Sequence, residues 1–253
     1  PLAPGRNESV FGRWGDYGPA YLPDGRIIFV STRYATLSAS CGLRGLNLYV
    51  LDPATGEIRR RTSLRSGAID PSVLQNGMVV YSNWVDLMSV PALDGPGIRP
   101  LEADYSFAPS FWGIWAISPD GTNNGRIAFA QGGLVDYGGL HQPRELPNGN
   151  LVVTARNSGG LLGDTLANAV TVIEPGLVPR HSLRFIGDPG RLDAPHAVSG
   201  APLPDGRIAF SYTLTPTLRS DWRGEKLADY DFGLYVLDAA MARMRPLYDD
   251  PGT

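Results

Sequence analysis

Hydrophobic and polar positions along this chain fall into one short pattern that occurs four times. A leucine and one further residue lead to an Asp-Gly or Asn-Gly pair, and an apolar run follows at once. The copies are Leu22 to Phe29 (LPDGRIIF), Leu74 to Tyr81 (LQNGMVVY), Leu146 to Val153 (LPNGNLVV) and Leu203 to Phe210 (LPDGRIAF). Asn-Gly and Asp-Gly accept positive φ, so each copy predicts a tight type I′ β-hairpin. The runs Ile27 to Val30, Val79 to Tyr81 and Leu151 to Val153 barely alternate with polar residues, which predicts strands covered on both faces. Hairpins repeated at intervals of roughly 50 to 70 residues are the signature of a β-propeller.

Each repeat predicts a blade of four antiparallel strands. The first blade takes Pro19 to Leu22, Arg26 to Thr32, Leu46 to Leu51 and Glu57 to Thr62, after a lead-in over residues 1–16. Its outer strand carries Glu57, Arg59, Arg60 and Arg61, charges that keep an edge from pairing with other molecules. The second blade begins with Asp70 to Leu74 and Met78 to Asn83. Its third strand is either Leu87 to Leu93 or the run from Gly113 ending in the Asp120-Gly121 turn. The latter reading, which leaves 84–111 as an insertion loop, lets Arg126 to Ala130 serve as the outer strand. The third blade takes His141 to Leu146, Leu151 to Ala155, Ala169 to Ile173 and Ser182 to Ile186. The fourth takes Ser199 to Leu203, Arg207 to Tyr212, Phe232 to Leu237 and Met244 to Tyr248. The short turns then share one face, and the long connections (33–45, 84–111, 131–140, 156–168, 187–198 and 213–231) share the other. A ligand or partner is expected on the long-loop face.

Composition fits this picture. Among 253 residues, 31 glycines and 22 prolines suit many short strands joined by turns. The whole chain, 1–253, reads as one all-β propeller domain or propeller segment. A net charge of −3 with interspersed signs leaves no basic stripe for nucleic acid. No apolar run approaches the roughly 20 residues of a membrane-spanning helix. The chain begins at Pro1 rather than methionine and reads as a processed or excised segment, from which any export signal would be gone. The single cysteine, Cys41, has no disulfide partner within the chain, and no haem-attachment or zinc spacing occurs.

Laid out in this order, the repeats resemble the TolB-type WD40-like propeller repeats of exported bacterial proteins. They resemble more closely the propeller region of hydrazine synthase alpha-subunit-related proteins. The pieces that carry the resemblance are Phe29 to Arg33 followed by Cys41, Leu46 to Asp52, Asp70 to Leu74, Val80 to Trp84, and Gly113 to Trp115 through Asp120 to Asn123. His141-Gln142, Phe232 to Tyr235 and Leu247 to Pro251 complete the set. The resemblance implies a periplasmic or extracellular propeller that is one part of a longer protein, with haem-binding segments beyond the propeller. This chain itself carries no haem motif, so the namesake redox chemistry does not transfer to it. Four repeats also fall short of the six blades implied, so neighbouring polypeptide is expected to supply the remainder.

Candidate chemistry is sparse. His141 and His196 precede predicted innermost strands near the mouth of a central channel, and two histidines from neighbouring blades can contribute to a metal site. An isolated loop histidine more often forms ordinary hydrogen bonds. Asp16, Asp70, Asp136 and Asp193 lie at the approaches to inner strands; converging, they could hold calcium, and otherwise they cap turns. Cys41, with Arg33 and Arg44 near in sequence, needs a cation in contact to become a reactive thiolate; a plain buried cysteine is the commoner reading. Trp84, Phe111, Trp112 and Trp115 either pack the insertion onto the propeller or, with Arg33, form a docking patch for a protein partner. The sequence therefore points to an exported binding and scaffolding propeller, working with a protein partner or flanking domains. The rival reading is a propeller hydrolase or lactonase with a divalent metal in the channel.

Overall fold

The computed structural model describes residues 14–34, 44–64, 67–86, 89–91, 98–100, 110–128, 139–156, 168–175, 180–181, 186, 195–214, 217–220, 226–229, 231–238 and 243–248. Strands and turns make up these residues, and no helix occurs among them. The chain divides into two compact units, Pro1–Arg126 and Ile127–Thr253.

In the first unit, β1 (Asp16–Tyr21), β2 (Ile27–Ser31), β3 (Asn47–Leu51) and β4 (Ile58–Arg60) form an antiparallel sheet in chain order. A second sheet starts with β5 (Ala68–Val73) and β6 (Val79–Asp86). Next, β7 (Ser89–Pro91) and β8 (Ile98–Pro100) pair with each other as a separate hairpin. The chain then returns in β9 (Ser110–Ile117), which pairs with β6 without a break from Val79↔Ile117 to Asp86↔Ser110. β10 (Gly125–Ala128), within which the division of the chain falls, lies beside β9. The third strand of this blade is thus the later of the two segments that the sequence offers.

The second unit repeats the plan. β11 (Gly139–Glu145), β12 (Leu151–Arg156), β13 (Asn168–Glu174) and β14 (Arg180–His181) form one blade. Its outer strand starts earlier than the expected Ser182, and Ile186 adds a lone bridge to Val170. The other blade is built from β15 (His196–Pro202), β16 (Ile208–Thr213), β19 (Gly233–Asp238) and β20 (Arg243–Tyr248). A separate hairpin, β17 (Thr217–Ser220) with β18 (Lys226–Asp229), lies between β16 and β19 in sequence.

Each unit has its core between its two sheets. In the first, Ile28, Val30, Leu48 and Val50 meet Ala68, Val79, Tyr81 and Ile117, none more than 2% exposed. In the second, Val152, Val170 and Val172 meet Ile208, Phe210, Tyr212, Tyr235 and Leu237. Tyr212 and Tyr235 touch edge to face at 5.2 Å. Burying one such side chain stabilises by about 1.5–3 kcal/mol, so blade-on-blade packing is the main favourable contribution.

The hairpin turns differ from the type that the sequence predicts. Gly25, Gly77, Gly149 and Gly206 are left-handed, with φ of 85°, 81°, 84° and 83°, but the Asp or Asn before each is not. A type I′ turn needs positive φ at both central residues. Instead the Gly25 N–H donates to the Leu22 carbonyl at 3.0 Å and the Leu22 N–H donates to the Arg26 carbonyl at 2.8 Å, a pattern shared by all four copies. This is a type I turn closed by a left-handed glycine, and its second position suits the fixed φ of Pro23, Pro147 and Pro204. The Asp or Asn oxygen accepts the N–H two residues on, at 3.0–3.1 Å in the four copies. Asp120-Gly121 forms a fifth turn of this design.

Two glycines separate conformational from packing constraints. A Cβ at Gly25 would touch nothing within 4 Å, so Gly25→Ala meets only the left-handed penalty, about 1–2 kcal/mol. A Cβ at Gly200 would lie 2.6 Å from Val152 Cγ2 and 3.0 Å from Val170 Cγ1. Gly200→Ala is expected to cost about 1–3 kcal/mol by overpacking. The Gly200→Ala/Val152→Ala double variant should be more stable than the summed single effects in urea unfolding. Simple additivity would contradict the packing argument.

Candidate binding site at the inner strands

The innermost strand of each blade breaks step at the same place. Pairing shifts between Tyr17 and Ala20, Ile69 and Ser72, His141 and Arg144, and Val198 and Ala201. Two residues bulge out each time, and the first is left-handed: Gly18 (φ 55°), Asp70 (54°), Gln142 (53°) and Ser199 (58°). Bulges re-aim side chains that a regular ladder would hold to its two faces. A left-handed residue other than glycine costs about 1–2 kcal/mol, and such strain persists where the surrounding structure fixes it.

Between the two blades of the second unit, two of these residues form a latch. Gln142 Oε1 accepts from Thr154 Oγ1 at 2.9 Å and from the Ser199 N–H at 3.2 Å. Gln142 Nε2 donates to Ser199 Oγ at 3.4 Å, and the Ser199 N–H also lies 3.2 Å from Thr154 Oγ1. The amide thereby ties one inner strand to the next.

The corresponding joint in the first unit lacks those groups. Gly18 replaces Gln142, Asp70 replaces Ser199, and Val30, opposite Tyr17 as Thr154 is opposite His141, has no hydroxyl. A cleft of about 450 Å³ opens there, within the usual range for small-molecule sites. Val30, Leu46 and Ile69 make its apolar lining, Tyr17 adds an aromatic group, and Asp70 and Arg44 bring opposite charges. Arg44 Nη1 donates to the Thr32 carbonyl at 2.7 Å, and Thr32 Oγ1 accepts the Gly15 N–H at 3.0 Å. The cleft lies where the long connection after Thr32 leaves and rejoins the blade.

Of the residues singled out in the sequence, Asp70 lies in this cleft. His141 and His196 are buried within β11 and β15 but at unlike positions. His141 directly precedes its bulge, whereas His196 stands three residues before, where the other inner strands have Gly15, Gly67 and Gly139. Asp136, Asp193 and Cys41 lie outside the described residues. Among the described residues, no three His, Cys, Asp or Glu side chains gather into a group that could hold a metal ion.

Arg33 is taken up within its own blade. Its Nη2 donates to both Asp16 oxygens at 2.9 and 3.0 Å, its Nε donates to Ser31 Oγ, and the guanidinium lies 5.1 and 5.2 Å from the Phe29 and Tyr49 ring centres. The aromatic group is divided between the two faces of one sheet. Trp84 and Trp112 face each other across β6 and β9 and stack at 5.6 Å, whereas Trp115 pairs with Tyr81 and packs on the core. Phe111 is the strand partner of Val85.

Gln142, Thr154, Ser199 and Gly18 escaped residue-type reasoning. Their signal is positional: each bulge residue stands seven residues before a turn glycine (18 to 25, 70 to 77, 142 to 149 and 199 to 206).

No family model matches the chain, and no curated protein matches it in sequence. Solved structures do. Hydrazine synthase of Kuenenia stuttgartiensis superposes with a TM-score of 0.57 at 19% identity, over 90% of this chain and 28% of that one. TolB of Acinetobacter baumannii gives 0.51 at 14% identity, over 93% and 44% of the respective chains. A prolyl endopeptidase gives 0.52 at 14% identity, over 95% and 30%. The fold is a β-propeller. At these identities the likeness establishes the fold of four-stranded blades and nothing chemical. The chain spans less than half the length of each of these three proteins.

Two predictions concern how the propeller's inner strands are held. Gln142→Ala and Thr154→Val should each cost about 1 kcal/mol, with the double variant far from additive because both remove one latch. Additive losses in denaturant unfolding would show that the latch is not a unit. Burial by itself would raise the Asp16 carboxyl, but hydrogen bonds with Ser31 and Arg33 and the charge of Arg33 outweigh it and hold the group below its ordinary 3.8. A depressed carboxylate stabilises the fold fully above that ordinary value, and the contribution is lost as pH falls through the depressed one. Asp16→Asn should therefore flatten the loss of stability below about pH 4 measured by acid titration with circular dichroism. An unchanged acid profile would contradict the clamp.

Proposed function

We propose that this chain is a binding and scaffolding segment of a larger propeller protein, and that further polypeptide covers the flank of its first blade. The observation that carries the reading is the exposure of β1. Five of its six residues are exposed, whereas none is exposed in the equivalent strands β5 and β11, and only Ser199 and Ala201 are in β15. Trp14, Tyr17 and Tyr21 are 60%, 57% and 76% exposed. An inner strand with so much exposed aromatic surface is of the kind that marks an interface. A further blade, from flanking polypeptide or a partner subunit, matches the plan of the fold. Export from a bacterial cell belongs to the same reading and rests on the sequence resemblance to exported propeller repeats. No helix among the described residues is long and apolar enough to cross a membrane.

Light scattering across a concentration series tests the flank. The isolated chain should associate reversibly, and Trp14→Ser/Tyr21→Ser should leave it monomeric with an unchanged strand-dominated circular dichroism spectrum. A chain that stays monomeric at every concentration without these substitutions would overturn the proposal. Elemental analysis separates the rival class: a stoichiometric divalent metal would favour a channel hydrolase.

A further inference from the structure

The cleft beside Gly18 and the latch around Gln142 are the same joint of the fold in two states, one lined and one filled. In the second unit the Gln142 side chain fills the joint from within, its amide NH₂ turned to Ser199 Oγ and its carbonyl to the Ser199 N–H. In the first unit the filling group is missing because position 18 is glycine, and the residue in Ser199's place is Asp70. A carboxylate only accepts, and with two oxygens it has room for an added donor beside its contacts within the protein. Arg44 lines the same cleft and brings a guanidinium whose Nη1 donates to the Thr32 carbonyl. Val30, Leu46 and Ile69 give the lining its apolar part, and Tyr17 and Thr32 complete it.

We propose that this cleft binds a small zwitterion with an apolar body, of the class of a free aliphatic or aromatic amino acid. The ammonium meets Asp70, the carboxylate meets Arg44, and the side chain lies on Val30, Leu46 and Ile69. A simple amine would meet repulsion from Arg44, and a simple acid would meet it from Asp70, so the charge pair selects a molecule that carries both. The volume of about 450 Å³ holds a molecule of that size. This site borders the flank proposed for docking, sharing Tyr17 and Gly18 of β1 with it, but its argument does not depend on that docking.

The test uses the full chain, with L-phenylalanine as the probe and its N-acetylated, amidated derivative as the neutral control, in titration calorimetry. Phenylalanine should bind and the neutral derivative should bind at least about tenfold more weakly, the difference expected from losing charged hydrogen bonds. Gly18→Gln should abolish binding by placing in the cleft the group that fills the other joint. The substitution is sterically open: a Cβ there meets only Pro71 Cδ at 3.5 Å, and Gln142 already holds the same φ. Should Gly18→Gln fail to fold, Asp70→Asn keeps a residue that tolerates the left-handed region and removes the charge, with binding expected to fall about tenfold. No heat with phenylalanine at about 10 mM, equal affinity for the neutral derivative, or unchanged affinity in Asp70→Asn would each overturn the proposal.

Discussion

The left-handed residue in each innermost strand is the constraint on which the rest of the inner surface depends. At Gly18, Asp70, Gln142 and Ser199 the backbone takes φ between 53° and 58°, and pairing slips by one residue as two bulged residues face one on the next strand. Three of these four residues are not glycine, so the conformation is held against an intrinsic cost of about 1–2 kcal/mol each. What holds it is the blade packing: Val30 and Ala68 in one unit, and Val152 and Ala197 in the other, are buried beside the bulges in the cores between paired sheets. Proline at 19, 71 and 143 follows the left-handed residue directly, and in the fourth strand Gly200 takes that place because Val152 and Val170 leave no room for a Cβ.

A bulge that recurs with different side chains gives one scaffold several outcomes. Where the residue is Gln142 and its neighbour across the strand is Thr154, the joint closes in a hydrogen-bonded latch. Where the residues are Gly18 and Val30, the same joint stays open as a cleft with one acidic and one basic group. The difference lies in three side chains, at positions 18, 30 and 70, not in the backbone, whose φ values agree within a few degrees. Blade packing thus decides stability, while the bulge residues decide what each joint can bind.

Much of the fold was legible because its signals are local. The predicted Leu151 to Ala155 agrees with β12 to within a residue because an Asn-Gly turn followed by β-branched residues leaves few alternatives, and Leu46 to Leu51 agrees with β3 because Gly45 and Asp52-Pro53 bound its apolar run. The turn type was not legible: Asp-Gly fits both a type I′ turn and a type I turn closed by left-handed glycine, and the negative φ of the Asp or Asn, with the leucine N–H donating to the carbonyls of Arg26, Met78, Asn150 and Arg207, decides between them. The site was hidden for another reason. Glycine, aspartate, glutamine and serine share no chemistry, so the four bulge positions emerge only when the repeats are aligned on their turn glycines. Reasoning by residue type drew attention to His141 and His196 instead, which sit at unlike positions of buried strands. It reached Asp70 for its carboxylate, whereas what distinguishes Asp70 in the fold is the left-handed bulge it shares with Gly18, Gln142 and Ser199.

The central claim is that the side chains at 18 and 30 decide whether this joint is open or closed, Asp70 supplying its backbone N–H as Ser199 does. A high-resolution crystal structure of the Gly18→Gln/Val30→Thr double variant tests it most directly. The account predicts that the introduced amide accepts the Asp70 N–H and the introduced hydroxyl, and that the cleft lined by Leu46 and Ile69 disappears with the backbone at position 18 still left-handed. An introduced side chain turned to solvent over an unchanged cleft would contradict it.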